Sequence, residues 1–278
     1  MKLGVQALLG MSFLVAAPVL PQEPEERFED VFNFEWVFGP ANVDITTRAE
    51  LSLPEGYNYL GRQDTRRMME LLENIPGDEE YFVAPDDMRW FAVFQYDDSG
   101  HVKDDERIDA DEVLDAIREG NEYANRVRRR NGWSELDIVG WKYPPFYEEG
   151  SKRLAWAILA ESEGSLVVNY NTRLLGRTGV MSAVLVANPD TLESAVAEFQ
   201  TVLEGFEYKP GQRYAEYRPG DKLATYGLAA LVTGGAAAAV TKTGIGKAAL
   251  KFIGIAVFAV VAAVGSLLKR IVGRRSAA

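Results

Sequence analysis

Residues 166–187, LVVNYNTRLLGRTGVMSAVLVA, decide the fold. Two β-prone runs, Leu166 to Leu175 and Val180 to Ala187, flank Gly176-Arg177-Thr178-Gly179, a four-residue turn with two glycines. Runs rich in β-branched residues on either side of a short glycine turn pair as an antiparallel hairpin. Side chains alternate between the faces of a strand, so Asn169, Asn171 and Arg173 share one face of the first run. With Arg177 in the turn they make a polar patch on an otherwise apolar sheet, one that either meets solvent or lines a groove.

Outward from the hairpin the same reading continues. Leu136 to Trp141 and Leu154 to Ala160 are further strands upstream, and Arg89 to Tyr96 is an aromatic core strand. Val43 to Leu53 is a strand that ends in a turn at Leu53-Pro54-Glu55-Gly56-Tyr57. Asp64 is placed to N-cap a helix over Thr65 to Leu72, with Asn74 and Pro76 ending it. A longer helix runs from Asp109 to Arg130, with Val113, Leu114 and Ile117 on its apolar face. Its acids crowd the first turns and Arg126, Arg128, Arg129 and Arg130 the last, which matches the helix dipole, and Asn131-Gly132 stops it. Downstream of the hairpin, Asp190 opens a helix through Leu203 with Leu192, Val196, Phe199 and Val202 on one face, and Gly205 closes it. Antiparallel strands with segregated helices make the fold class α+β.

The chain has 278 residues, 47% of them hydrophobic and none of them cysteine. Thiol catalysis, Cys-based zinc sites and disulfide staples are thereby excluded. The net charge of −11 is uneven: residues 21–220 hold 21 basic and 40 acidic side chains, whereas from Asp221 onward eight basic residues face one acid. An acidic body repels phosphate backbones, which argues against nucleic acid as a partner. Residues 1–20, with Lys2 and then an apolar run to Ala17, read as a signal peptide or N-terminal anchor. An acidic, Pro-containing linker follows at 21–31, then a soluble α+β domain at 32–220. A small-residue apolar helix is expected at 221–249, a transmembrane helix at 250–272 and a basic cytoplasmic tail at 273–278. Spanning ~30 Å of hydrocarbon takes about 20 apolar residues. Phe252 to Leu268 is free of charge, and Lys269, Arg270, Arg274 and Arg275 follow it on the side that the positive-inside rule assigns to the cytoplasm. One such span places the body outside a bacterial cytoplasmic (inner) membrane. The spacing of Ala230, Gly234 and Ala238, and of Ala259 and Ala263, allows self-association of helices.

Signals of chemistry are sparse. His101 is the single histidine and stands in a charged loop, Asp97-Asp98-Ser99-Gly100-His101, where a solvated residue is expected rather than a catalytic one. The acids from Asp97 to Glu112 could hold calcium, yet they miss the EF-hand spacing, and a helix N-terminus attracts acids for its own reasons. No metal, no catalytic residue and no cofactor is assigned. Gly140-Trp141-Lys142-Tyr143-Pro144-Pro145-Phe146-Tyr147 packs four aromatics around a diproline. Such a platform binds sugars or Pro-rich peptides, or else forms a core edge with a rigid loop. The candidate ligand-binding residues are therefore Trp141, Tyr143, Asn169, Asn171, Arg173 and Arg177.

Leu51-x-Leu53-Pro54-x-Gly56-Tyr57, Gly140-Trp141 with Pro144-Pro145 and Tyr147, Asn169-Tyr170-Asn171-Thr172-Arg173-Leu174-Leu175-Gly176-Arg177-x-Gly179, and Asp221-Lys222-x-Ala224-x-Tyr226-Gly227 together carry a resemblance. From about Phe34 to Gly235 the chain resembles an uncharacterised bacterial family of membrane-anchored proteins, a domain of unknown function sometimes labelled a regulator of an amylopullulanase. The resemblance implies export, a membrane anchor and no assigned activity. Members have an aromatic where this chain has His101, and a histidine where it has Lys152, so the resemblance supplies no catalytic histidine. The order of strands, the hairpin and the late helix also look like the sandwich of PsbP-type domains. The expectation is a non-enzymatic, membrane-anchored periplasmic module that binds or scaffolds an envelope protein or component. The alternatives are a carboxylate-dependent envelope hydrolase and a subunit of a membrane complex.

Overall fold

The computed structural model describes residues 33–72, 74 and 76–233. The leader at 1–20, the linker at 21–31, the span at 250–272, the basic tail and all of the 221–249 segment beyond Thr233 lie outside the described residues. The elements run β1 (Val37–Phe38), β2 (Ala41–Ile45), β3 (Ala49–Leu53), β4 (Tyr57–Leu60), α1 (Arg62–Leu71), β5 (Glu80–Pro85), β6 (Phe91–Asp97) and α2 (Ala110–Arg130). They continue with β7 (Asp137–Glu148), β8 (Arg153–Ser162), β9 (Ser165–Leu175), β10 (Val180–Ala187), α3 (Leu192–Glu204), β11 (Phe206–Tyr208) and α4 (Leu228–Val232). Strands β1-β4-β5-β6-β10-β9-β8-β7 form one eight-stranded antiparallel sheet, and β11-β3-β2 a small one. The α+β class stands.

The hairpin forms as expected, with Leu175 opposite Val180 and the Gly176 amide donating to the Gly179 carbonyl at 2.8 Å. Its glycines are required by close approach. A Cβ on Gly179 would fall 2.1 Å from the Asp97 carbonyl oxygen, and one on Gly176 would fall 2.8 Å from the Tyr208 ring. Met181, Ala183, Leu185 and Ala187 of β10 pack in one cluster with Ile45 and Leu51 of the small sheet and Phe199 and Val202 of α3. Trp90 meets the Phe199 ring edge-on at 6.0 Å and Phe94 lies 6.2 Å from it, so α3 is held by rings on β6 and just before it. The other face is also buried, through Phe82, Phe91, Val184, Trp156 and Ile158. Helix α1 packs on β4 and β5, and α2 on β7.

Three expectations change. Residues 43–53 are a hairpin, β2–β3, turned at Thr46 with φ +66, a left-handed position filled without glycine. Asp64 lies inside the first turn of α1, behind the N-cap Gly61, and its carboxylate accepts from the Glu35 amide at 2.7 Å. The aromatic stretch around Pro144-Pro145 is the second half of β7, an edge strand with three register shifts. Prolines lack the ladder donor, and an edge with bulges is where a sheet tolerates them. Of the 221–249 segment the described part holds only the five-residue α4. Among the described residues no helix is long and apolar enough to cross a membrane.

Candidate functional site

The polar triplet of β9 is on one face, as its alternation requires, but that face is inside. Asn169 and Asn171 are buried, and the Asn171 side-chain Nδ2 donates to the Asn169 backbone carbonyl at 3.2 Å. Cross-strand register puts Glu80, Gln95, Ser182 and Arg173 in one row across β5, β6, β10 and β9. Arg173 lies over the Trp156 ring at 4.7 Å, and loss of solvent lowers its pKa to about 10, against the pull of Asp97 and Tyr226. Burial raises the pKa of Glu80, and its Oε2 has no hydrogen-bond partner among the described residues. Arg177 is elsewhere, at the hairpin tip, where its Nε and Nη2 donate to the two carboxylate oxygens of Asp221, each at 2.7 Å.

The aromatic stretch is divided as well. A register shift separates Trp141, opposite Ile158, from Tyr143, opposite Ala157, so the two face opposite sides of the sheet. The Trp141 indole donates to the Ala110 carbonyl at 3.1 Å and fixes β7 to the start of α2. Tyr143 instead opens onto a groove of about 370 Å³. Tyr143, Pro144 and Phe146 of β7 form one wall, Glu193 and Val196 of α3 the other, and Ala155 and Tyr170 the floor. Phe146 is 69% exposed, the most exposed large apolar side chain among the described residues. Tyr170 is half-buried and accepts from Gln200 at 3.4 Å, and burial raises its pKa. Arg153 crosses one end, donating to Gln200 at 2.6 Å and to Glu148 at 3.0 Å. Sequence reading found Tyr143 and missed Phe146, Tyr170 and Glu193. Tyr170 was legible in principle as the outward alternate of the Asn169–Asn171 face, but Glu193 belongs to the site only through the tertiary approach of α3.

His101 is a correction: it is buried, not solvated. Its ring stacks between Tyr214 and Tyr217 at 4.3 Å from each. Burial lowers its pKa, against hydrogen bonding to the backbone of Arg177 and Gly176 and the charges of Asp104 and Asp221. Asp104 accepts from Lys152 and Tyr147, each at 2.8 Å, and from Tyr214 at 3.1 Å, and these bonds outweigh burial and lower its pKa. Lys152 also stands 5.4 Å from the Tyr214 ring centre, so His101 and Lys152 meet at one tyrosine. This network secures the segment that leads to the tail. The His101 amide donates to the Lys222 carbonyl at 2.8 Å, and the Ala224 amide to the His101 carbonyl at 2.9 Å. Tyr226 donates to Asp97 at 2.6 Å, and the Ala229 amide to Glu106 at 3.1 Å.

The acids between Asp97 and Glu112 are thus spread over separate structural tasks, with Asp109 capping α2 by accepting from the amides of Asp111 and Glu112. Among the described residues no group of three or more His, Asp or Glu side chains is placed to hold a metal ion.

No curated protein matches the chain. Among solved structures it is similar to the cyanobacterial PsbP, CyanoP, of Synechocystis sp. PCC 6803, with 11% identity over 72% of this chain and 98% of that one and a TM-score of 0.36. It is similar to the type VI secretion immunity protein TplEi of Pseudomonas aeruginosa, with 9% identity over 69% and 86% and a TM-score of 0.24. CalU16 of Micromonospora echinospora is 12% identical over 47% and 74%, with a TM-score of 0.17. At scores this low none of these likenesses supports an argument. The family match is of another order, extending over residues 37–265, and the chain belongs to the family described as Protein of unknown function (DUF2167).

Proposed function

We propose that this domain is a non-enzymatic binding module, tethered to the bacterial inner membrane through its C-terminal segment and displayed on the outer side, that captures an envelope component in the groove between β7 and α3. The observation behind the reading is that groove, with Phe146 held open to solvent beside Tyr143 and Tyr170. Concave, mostly apolar sites with a few polar groups are where ligands bind, and contiguous exposed apolar surface marks interaction sites. The polar face of β9 is set aside as a binding surface because its asparagines are buried. Display on a tether accords with the apolar run at 252–268 and its basic flank. The bonds from His101, Asp97 and Glu106 to residues 222–229 would make the junction to such a tether stiff.

A photoreactive benzoylphenylalanine at position 146, in cells, tests the reading against the same label at Tyr123, an exposed aromatic on α2. A discrete adduct from position 146 and none from position 123 is expected. No adduct at 146, or equal adducts at both, overturns it.

A further inference from the structure

Resting on that reading, we infer that the groove takes an extended, proline-bearing peptide that carries lysine or arginine. Its lining offers rings, Pro144 and Val196, and a single charged group, Glu193. Sugar sites need several planar polar groups free to bind around the aromatic platform, and here Arg153, Gln200 and Glu148 at one end already bond one another. A proline-rich segment needs few, because its polyproline II backbone has no internal hydrogen bonds and stays solvated while its rings and aliphatic chains pack on aromatic walls.

The edge of the sheet excludes the competing peptide mode. Strand β7 is terminal in the large sheet, and an added strand would require a continuous ladder along it. Pro144 and Pro145 have no amide donor, and β7 changes register three times, once between Tyr143 and Phe146. A ligand at this position must bring a backbone that asks for no pairing.

Charge selects within that class. Glu193 stands in the wall and Glu148 at the rim, while Arg153, the cation at that end, is engaged by Glu148 and Gln200. The body around it has 40 acidic against 21 basic residues between positions 21 and 220, a field that draws in cations and repels acidic segments.

Selection of a displayed random dodecapeptide library on the purified full-length chain in detergent tests the inference, with affinities then read by fluorescence anisotropy. Enriched peptides should contain proline together with lysine or arginine. They should lose at least about tenfold in affinity with Phe146→Ser and with Glu193→Lys, and weaken as salt rises from roughly 50 to 500 mM. Tyr143→Ala, on the same wall, is a second variant with the same expectation. Enriched peptides that depend on Phe146 but are acidic or free of proline overturn the ligand class and leave the binding reading intact. Absence of enrichment, or binding indifferent to Phe146→Ser and Tyr143→Ala, overturns the inference, and the cross-link at position 146 then judges the binding reading by itself.

Discussion

Asp221 and His101 act at the residue scale, and acid moves them in related ways. The Arg177 guanidinium holds the Asp221 carboxyl at a pKa of about 2, below its ordinary 3.8. A lowered carboxylate pKa contributes stability above the unfolded value that is lost as pH falls through the folded one. Asp221→Asn should therefore lower Tm at neutral pH, with the gap to the parent closing between about pH 4 and about pH 2; a gap that is constant with pH speaks against the ion pair. Burial lowers His101 below its ordinary 6.5, so its neutral form is the one the fold prefers and stability declines as pH falls below that value. His101→Phe, which keeps a ring between Tyr214 and Tyr217, should flatten the decline in Tm between about pH 7 and about pH 5. This residue was illegible in the sequence for a clear reason. Its neighbours in sequence are charged, and the two rings that bury it come from more than a hundred positions downstream.

Elements differ in how far local pattern determines them. The β9–β10 hairpin, α2 and α3 were legible because their signals are local: a two-glycine turn, acids in the first turns with an Asn131-Gly132 stop, and an apolar face at helical spacing. The β2–β3 hairpin was not, since Thr46 takes a left-handed turn position that ordinarily signals itself by glycine or asparagine. Strand β7 was cut short because prolines argue against strands, and only its terminal place in the sheet removes the objection. The groove shared this obscurity, since a bulge chooses which of Trp141 and Tyr143 faces α3. Two substitutions separate the element that builds the core from the one that borders the groove. Phe199→Ala, fully buried on α3, should cost about 3–5 kcal/mol in urea denaturation. Phe146→Ser should stay within about 0.5 kcal/mol of the parent, because its ring is mostly in solvent. A large loss from Phe146→Ser would mean that the ring is a structural member and not an open wall.

The whole molecule is an acidic body joined to a basic, apolar tail, and that asymmetry was legible from charge counting alone. What composition could not supply is how body and tail meet. The structure shows the junction at 221–229 bonded along the 97–106 loop, and a Cβ on Gly227 would fall 2.1 Å from the Glu106 carboxylate, a side-chain end that would have to move. Gly227→Ala should therefore displace Glu106 and weaken the junction, read as faster amide exchange over residues 221–229 with Tm of the sheet little changed. Uniform exchange across the domain would contradict a local role. The proposal of a displayed, tethered binding module depends most on which side of the membrane the body occupies. Alkaline phosphatase, active only after export, fused after Gly220, and a cytoplasm-only fluorescent reporter fused after Ala278 measure this together. Activity of both fusions is the expected result; a silent phosphatase would place the body in the cytoplasm and contradict the account.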